Sequence, residues 1–127
     1  MLNCAHCGHA PEDRADPASN ATVLQCPVCN NRGDVSESRA YVEASWQRVN
    51  APDMPECLGC SGRPRFGRRG GLWLAVCAGC GFSPVGGTLS LEGAVASWYR
   101  ANRRGDGHYL TMWRERKAEC DEARRRA

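Results

Sequence analysis

With 127 residues the chain has the length of about one ordinary domain, and its longest apolar run, Leu72 to Ala78, is far too short to cross a bilayer. Its formal charge is +3, and 16 of its 17 basic side chains are arginine, with Lys117 the only lysine. An Arg- and Ala-rich, Lys-poor composition often reflects a GC-rich genome, so the number of arginines does not by itself point to nucleic acid.

Along the chain, the first feature is a cysteine pair, Cys4-Ala5-His6-Cys7, and a second pair, Cys26-Pro27-Val28-Cys29, follows after a gap of 18 residues. Within the gap, turn-rich Asp16 to Asn20 leads into Val23-Leu24-Gln25, a short run of β-formers. The gap therefore predicts a β-hairpin that brings both pairs to one point, the spacing of a tetrahedral Cys4 zinc site. A lone iron also accepts four thiolates. Asp34, Ser36 and Ser38 are candidate N-caps, and Asp34 with Glu37 has capping-box spacing. Val42, Trp46 and Val49 then recur at helical intervals.

After a proline-bearing linker, residues 51–56, the series repeats. Cys57-Leu58-Gly59-Cys60 and Cys77-Ala78-Gly79-Cys80 are 16 residues apart, with the turn-rich stretch Gly67 to Gly71 and the strand-like Leu72 to Val76 between them. Thr88 and Ser90 are N-cap candidates for a helix with Ala94, Trp98 and Ala101 on one stripe, closed by Gly105. A shift of 52 aligns residues 44–50 with 96–102, and Ala, Ser, Trp, Arg and Asn recur in both. Ordered metal half-sites with a matching tail make an internal repeat. In each repeat the Trp is expected to pin the helix onto the hairpin, with base stacking or partner contact the alternative use. Arg48 and Arg100 are expected on another side of each helix, exposed. Residues 106–126 predict a third helix starting at Asp106 or Gly107. Leu110, Trp113, Lys117 and Cys120 form its stripe, Tyr109 and Met112 flank it, and the Arg124-Arg125-Arg126 tail is expected to fray.

Each quartet sits in about 50 residues, a size at which burial alone rarely suffices and a staple is usual. Met1-Leu2-Asn3 runs straight into the first cysteine pair without a secretory leader, so the expectation is a soluble protein in a reducing compartment, with metal-bound thiolates in place of disulfides. The fold expected is small, metal-stabilised α+β: zinc ribbon 1 over residues 1–50, zinc ribbon 2 over 57–105, each a hairpin plus helix, and a C-terminal helix with a basic tail over 106–127. The metal ligands are Cys4, Cys7, Cys26, Cys29, Cys57, Cys60, Cys77 and Cys80, holding two structural zinc ions. His6 and His9 could replace a thiolate, but four cysteines already complete each tetrahedron. Cys120 reads as a small apolar residue on the last helix. Each Cys4 zinc site carries −2, so two sites move the formal +3 to about −1.

The arrangement resembles the phage restriction-alleviation family known as Lar, in which a Cys-x-x-Cys-Gly knuckle, a second knuckle and a short helix ending in Trp-Asn-x-Arg follow one another. Cys4-Ala-His-Cys7-Gly8 is similar to the first knuckle, Cys77-Ala-Gly-Cys80-Gly81 to the second, and the Trp46 and Trp98 helices to the end. The residue after each Trp is Gln47 or Tyr99, Arg falls one place early at 48 and 100, and this chain carries two units where the family has one. The resemblance covers about residues 1–50 and 55–104. It implies a phage or prophage zinc ribbon in the cytoplasm of a bacterial host cell, acting on a host defence such as type I restriction.

Arg63-Pro64-Arg65-Phe66-Gly67-Arg68-Arg69 stands out on the surface, with Arg63, Arg65, Phe66, Arg68 and Arg69 as candidate partner-binding residues on a hairpin tip. They could bind phosphates and stack a base of DNA or RNA, or pair with carboxylates of a protein. The matching tip, Glu12-Asp13-Arg14-Ala15-Asp16, is acidic, which favours a protein partner over a duplex-tracking role. No Ser/His/Asp pattern, phosphate-cradling loop or open-site metal motif is present. The expectation is a non-enzymatic protein that binds a host protein and counters a host defence. The alternative is a nucleic-acid-binding zinc protein such as a small transcriptional regulator. Self-association through 106–126 is compatible with either.

Overall fold

A computed structural model describes residues 1–105 and 107–126. The fold is α+β, with two two-stranded antiparallel sheets and three helices. The chain forms two compact units: Met1–Met54 with Arg65–Gly67, and Pro55–Pro64 with Arg68–Ala127.

In the first unit, β1 (Glu12–Ala15) pairs with β2 (Thr22–Gln25), from Glu12 opposite Gln25 to Ala15 opposite Thr22. The connection is tightened by Asp16, whose carboxylate accepts from Ala18 N at 3.0 Å and Ser19 Oγ at 3.1 Å, an Asx turn. β1 is exposed throughout, so the sheet contributes Val23 and Leu24 of β2 to the core. Helix α1 (Arg39–Val49) supplies the other side with Val42, Trp46 and Val49, the stripe expected from periodicity. Its N-cap is Ser38, which accepts from Tyr41 N. Asp34 makes no capping box and instead accepts from Tyr41 Oη at 2.9 Å. Met54, in the proline-bearing stretch, is also buried.

The second unit is centred on β4 (Leu72–Cys77), where Trp73, Ala75 and Cys77 point inward at the period of two that a strand imposes. β4 pairs with β3 (Pro64–Arg69). The stretch expected to be a turn from Gly67 onward is strand as far as Arg69. Only Gly70 and Gly71, with φ of 58° and 81°, make the reversal, the backbone that a tight hairpin turn requires. Helix α2 (Leu91–Ala101) starts at the Ser90 cap and buries Leu91, Ala94, Val95 and Trp98. It ends at Asn102, three residues short of Gly105. Helix α3 (Gly107–Arg126) buries Trp113 and Cys120, while Asp106 lies outside the described residues. Trp113 stacks on Phe82, centroids 4.8 Å apart, and Phe82 meets Trp98 edge-on at 6.1 Å. Cys120 goes beyond packing: its Sγ donates to Ser83 O and accepts from Ser83 N, both at 3.4 Å. No helix is long and apolar enough to cross a membrane among the described residues.

Candidate metal centres

All four Cys-x-x-Cys turns share one backbone pattern. The first cysteine N–H donates to the carbonyl five residues on (Cys4 to His9, Cys26 to Asn31, Cys57 to Gly62, Cys77 to Phe82), and its own carbonyl accepts from the residue four on. That residue, Gly8, Asn30, Ser61 or Gly81, has φ between 61° and 78°. The left-handed backbone there turns the chain so that both sulfurs of a pair face the same point, which explains why glycine follows two of the pairs.

The hairpins bring the pairs together as the spacing predicts. Cys4, Cys7, Cys26 and Cys29 form one group and Cys57, Cys60, Cys77 and Cys80 the other, with all sulfurs of a group within 4.8 Å. Cys4 Sγ lies 3.7 Å from Cys29 Sγ, Cys57 Sγ 3.7 Å from Cys80 Sγ, and Cys60 Sγ 3.4 Å from Cys77 Sγ. Four sulfurs about 2.3 Å from a common zinc in a tetrahedron would be about 3.8 Å apart, so the donor sets fit two structural zinc ions. His6 and His9 are not in the group; the His9 ring instead bonds Cys7 O at 3.0 Å. Burial, reinforced by the neighbouring sulfurs, pushes Cys29 and Cys77 well above the ordinary thiol range, and burial raises Cys57 too. Clustered buried thiols resist ionising together, and a divalent cation removes that resistance.

Each site is tied to its helix by residues that the sequence showed as identical in the repeat without revealing their role. Asn50 caps α1, its Nδ2 donating to Trp46 O at 2.9 Å while its Oδ1 accepts from Ala5 N, inside the first knuckle, at 2.8 Å. Asn102 does the same in the second unit, to Trp98 O at 3.1 Å and from Leu58 N at 3.1 Å. The indoles complete the clamp: Trp46 Nε1 donates to Leu2 O at 2.7 Å and Trp98 Nε1 to Pro55 O at 2.8 Å. Both rings are fully buried, as expected of pins and unlike stacking platforms.

A guanidinium also caps each second knuckle. Arg65 Nη1 donates to Cys29 O at 3.3 Å, and Arg124 Nη2 to Cys80 O at 3.1 Å. Positive charge beside a site of net −2 is electrostatically favourable. Arg124 also pairs with Asp121, so the basic tail expected to fray is helical through Arg126.

The candidate partner-binding residues separate. Phe66 is fully buried in the first unit, its N donating to Asn31 Oδ1 at 2.8 Å, so it cannot stack a base. Arg63 is half-buried, with its carbonyl accepting from Ala78 N. Arg68 and Arg69 stay exposed before the turn, Arg68 standing 5.8 Å from the centroid of Trp73. On β1, Asp13 pairs with Arg39 and Glu12 with Arg14, which offsets the acidity expected there. Arg100 is exposed and Arg48 half-buried. No family model, curated protein or solved structure matches the chain.

Proposed function

We propose that the protein is a non-enzymatic zinc-ribbon adaptor that binds a protein of a bacterial host cell. Two closed Cys4 sites use all their thiolates on the metal and leave no open position for a substrate. On the similarity of the knuckles and Trp helices to restriction-alleviation proteins, the partner belongs to a host defence against foreign DNA. The observation that carries protein over nucleic acid is Phe66. The one aromatic of the arginine-rich strand is fully buried, and Arg65 beside it is turned to Cys29 O. The strand therefore lacks the base-stacking surface that single-strand binders use.

The test is a pull-down from host lysate with zinc-loaded protein, run beside a mobility-shift assay at several salt concentrations. The adaptor reading expects a stoichiometric protein that survives nuclease treatment and is identified by mass spectrometry. Steeply salt-dependent DNA or RNA binding, abolished by Arg68→Glu with Arg69→Glu and without any such protein, would establish the regulator reading instead.

A further inference from the structure

The second unit carries a groove of about 260 Å³ between the end of α2, the segment after Cys80 and the start of α3. Its floor is apolar, from Phe82, Met112 and Trp113, and its rim is basic, from Arg100, Arg103 and Arg116. No carboxylate lines it among the described residues. The rim guanidiniums are oriented, not loose. Arg103 lies 5.2 Å over the Tyr109 ring and donates to its Oη at 3.2 Å. Arg116 gives Nε to Ser83 O at 2.7 Å and Nη1 to Glu119 at 2.9 Å. Arg100 donates to Ser97 Oγ at 3.4 Å. A guanidinium has five N–H donors in a planar fork, so each held fork retains donors for carboxylates.

A further observation marks the groove as a place for an occupant: Met112 is 53% exposed, an adaptable apolar side chain left facing water.

We infer that this groove binds a protein segment in which one large apolar side chain is flanked by aspartates or glutamates. The apolar anchor covers Met112 and Trp113, and the flanking carboxylates pair with the arginine rim. Charge complementarity sets the choice, because a basic rim without a carboxylate repels a basic segment and gives a neutral one nothing to pair with. The inference rests on the adaptor reading and gives that adaptor its docking site.

A displayed library of random nonapeptides, selected on the full zinc-loaded chain, tests it. The expected enrichment is for peptides with a single large apolar residue among acidic ones. A fluorescein-labelled copy of the enriched peptide should bind with an affinity that falls as salt rises. Met112→Glu, Arg103→Glu, or alanine at the peptide's apolar position should each weaken binding at least tenfold. Arg14→Glu, an exposed residue on β1 of the first unit, should leave it within twofold. Met112 and Arg103 are exposed, and an unchanged zinc content and circular dichroism spectrum would show that their variants fold. Enrichment of basic or uncharged peptides, no enrichment, or variants that bind within twofold of the parent would overturn the assignment. So would displacement of the peptide by an oligonucleotide, or self-association abolished by Met112→Glu. A host protein still captured by Met112→Glu and Arg103→Glu would sink the groove alone. Failure to capture any protein would sink the adaptor reading itself.

Discussion

Trp113 lies against the backbone of Gly59 so closely that a Cβ placed on Gly59 would come within 2.1 Å of the indole Cη2. Glycine at the third position of this knuckle is therefore what lets α3 dock on the second metal centre. The same position in the first unit is His6.

Gly59→Ala should accordingly displace the ring and loosen α3, costing about 1–3 kcal/mol as overpacking does. Hydrogen exchange should speed up along Gly107–Arg126 while zinc content stays at two per chain. His6→Ala should be nearly silent, since the His6 Nε2 it removes is buried without a partner. Equal effects at the two positions would contradict the packing argument.

Asn50 and Asn102 join helix end to knuckle, and replacing either with alanine leaves a half-buried knuckle N–H without its partner and takes one of two donors from a helix carbonyl. The expected loss is about 2–3 kcal/mol for each, or a melting temperature lower by roughly 10 °C or more for a unit this small. Thermal denaturation of the zinc-loaded variants measures it. Gln47→Ala, at an exposed side chain of the same helix, should change far less.

Ser61 holds φ of 61° at the position that Gly8 and Gly81 fill in two other knuckles. A non-glycine residue in this region is strained, so Ser61→Gly should stabilise the second unit by about 0.5–1 kcal/mol. Gly81→Ala should do the reverse. Its Cβ would meet Arg124 Nη1 at 2.5 Å, on top of a φ of 78°. Opposite shifts in melting temperature are expected, and a fall in both would refute the strain argument.

Because burial raises the Cys29 and Cys77 thiols above their ordinary range, each metal-free quartet holds at least that one proton at neutral pH. Zinc must displace those protons, so its affinity falls as pH falls, by up to about one power of ten per released proton per pH unit, and still rises through mildly alkaline pH because the raised thiols remain protonated there. For the metal-free chain the sign is opposite. A raised thiol favours the protonated folded form, and that contribution disappears as pH rises through the alkaline range. Zinc titration calorimetry in two buffers of different ionisation enthalpy should register proton release at each site. Buffer-independent heats would refute it.

The metal centres and the two helix stripes were legible in the sequence because their chemistry is local. A Cys-x-x-Cys pair needs no distant residue to be recognised, and Val42, Trp46 and Val49 declare a helix face by spacing alone. Asn50 and Asn102 were visible as repeated identities, but their role depends on the knuckle N–H groups that only folding brings to them. Phe66 was misplaced because glycine and arginine around it suggest a turn at the surface, whereas its burial goes with a bond to Asn31, and the exposed Arg65 bonds Cys29 O; both partners are more than 30 residues away in sequence. The end of α2 was assigned to Gly105 on the usual glycine preference, whereas Asn102 satisfies the last turn with its side chain. Arg124 likewise drew its order from Cys80 O, a tertiary partner that no helix-end rule anticipates.

The most direct measurement is native mass spectrometry of the purified chain, followed by chelation monitored by circular dichroism. Two zinc ions per molecule are predicted, with cooperative loss of both β and α signal as the chelator removes them. A chain that is metal-free yet cooperatively folded would contradict the account.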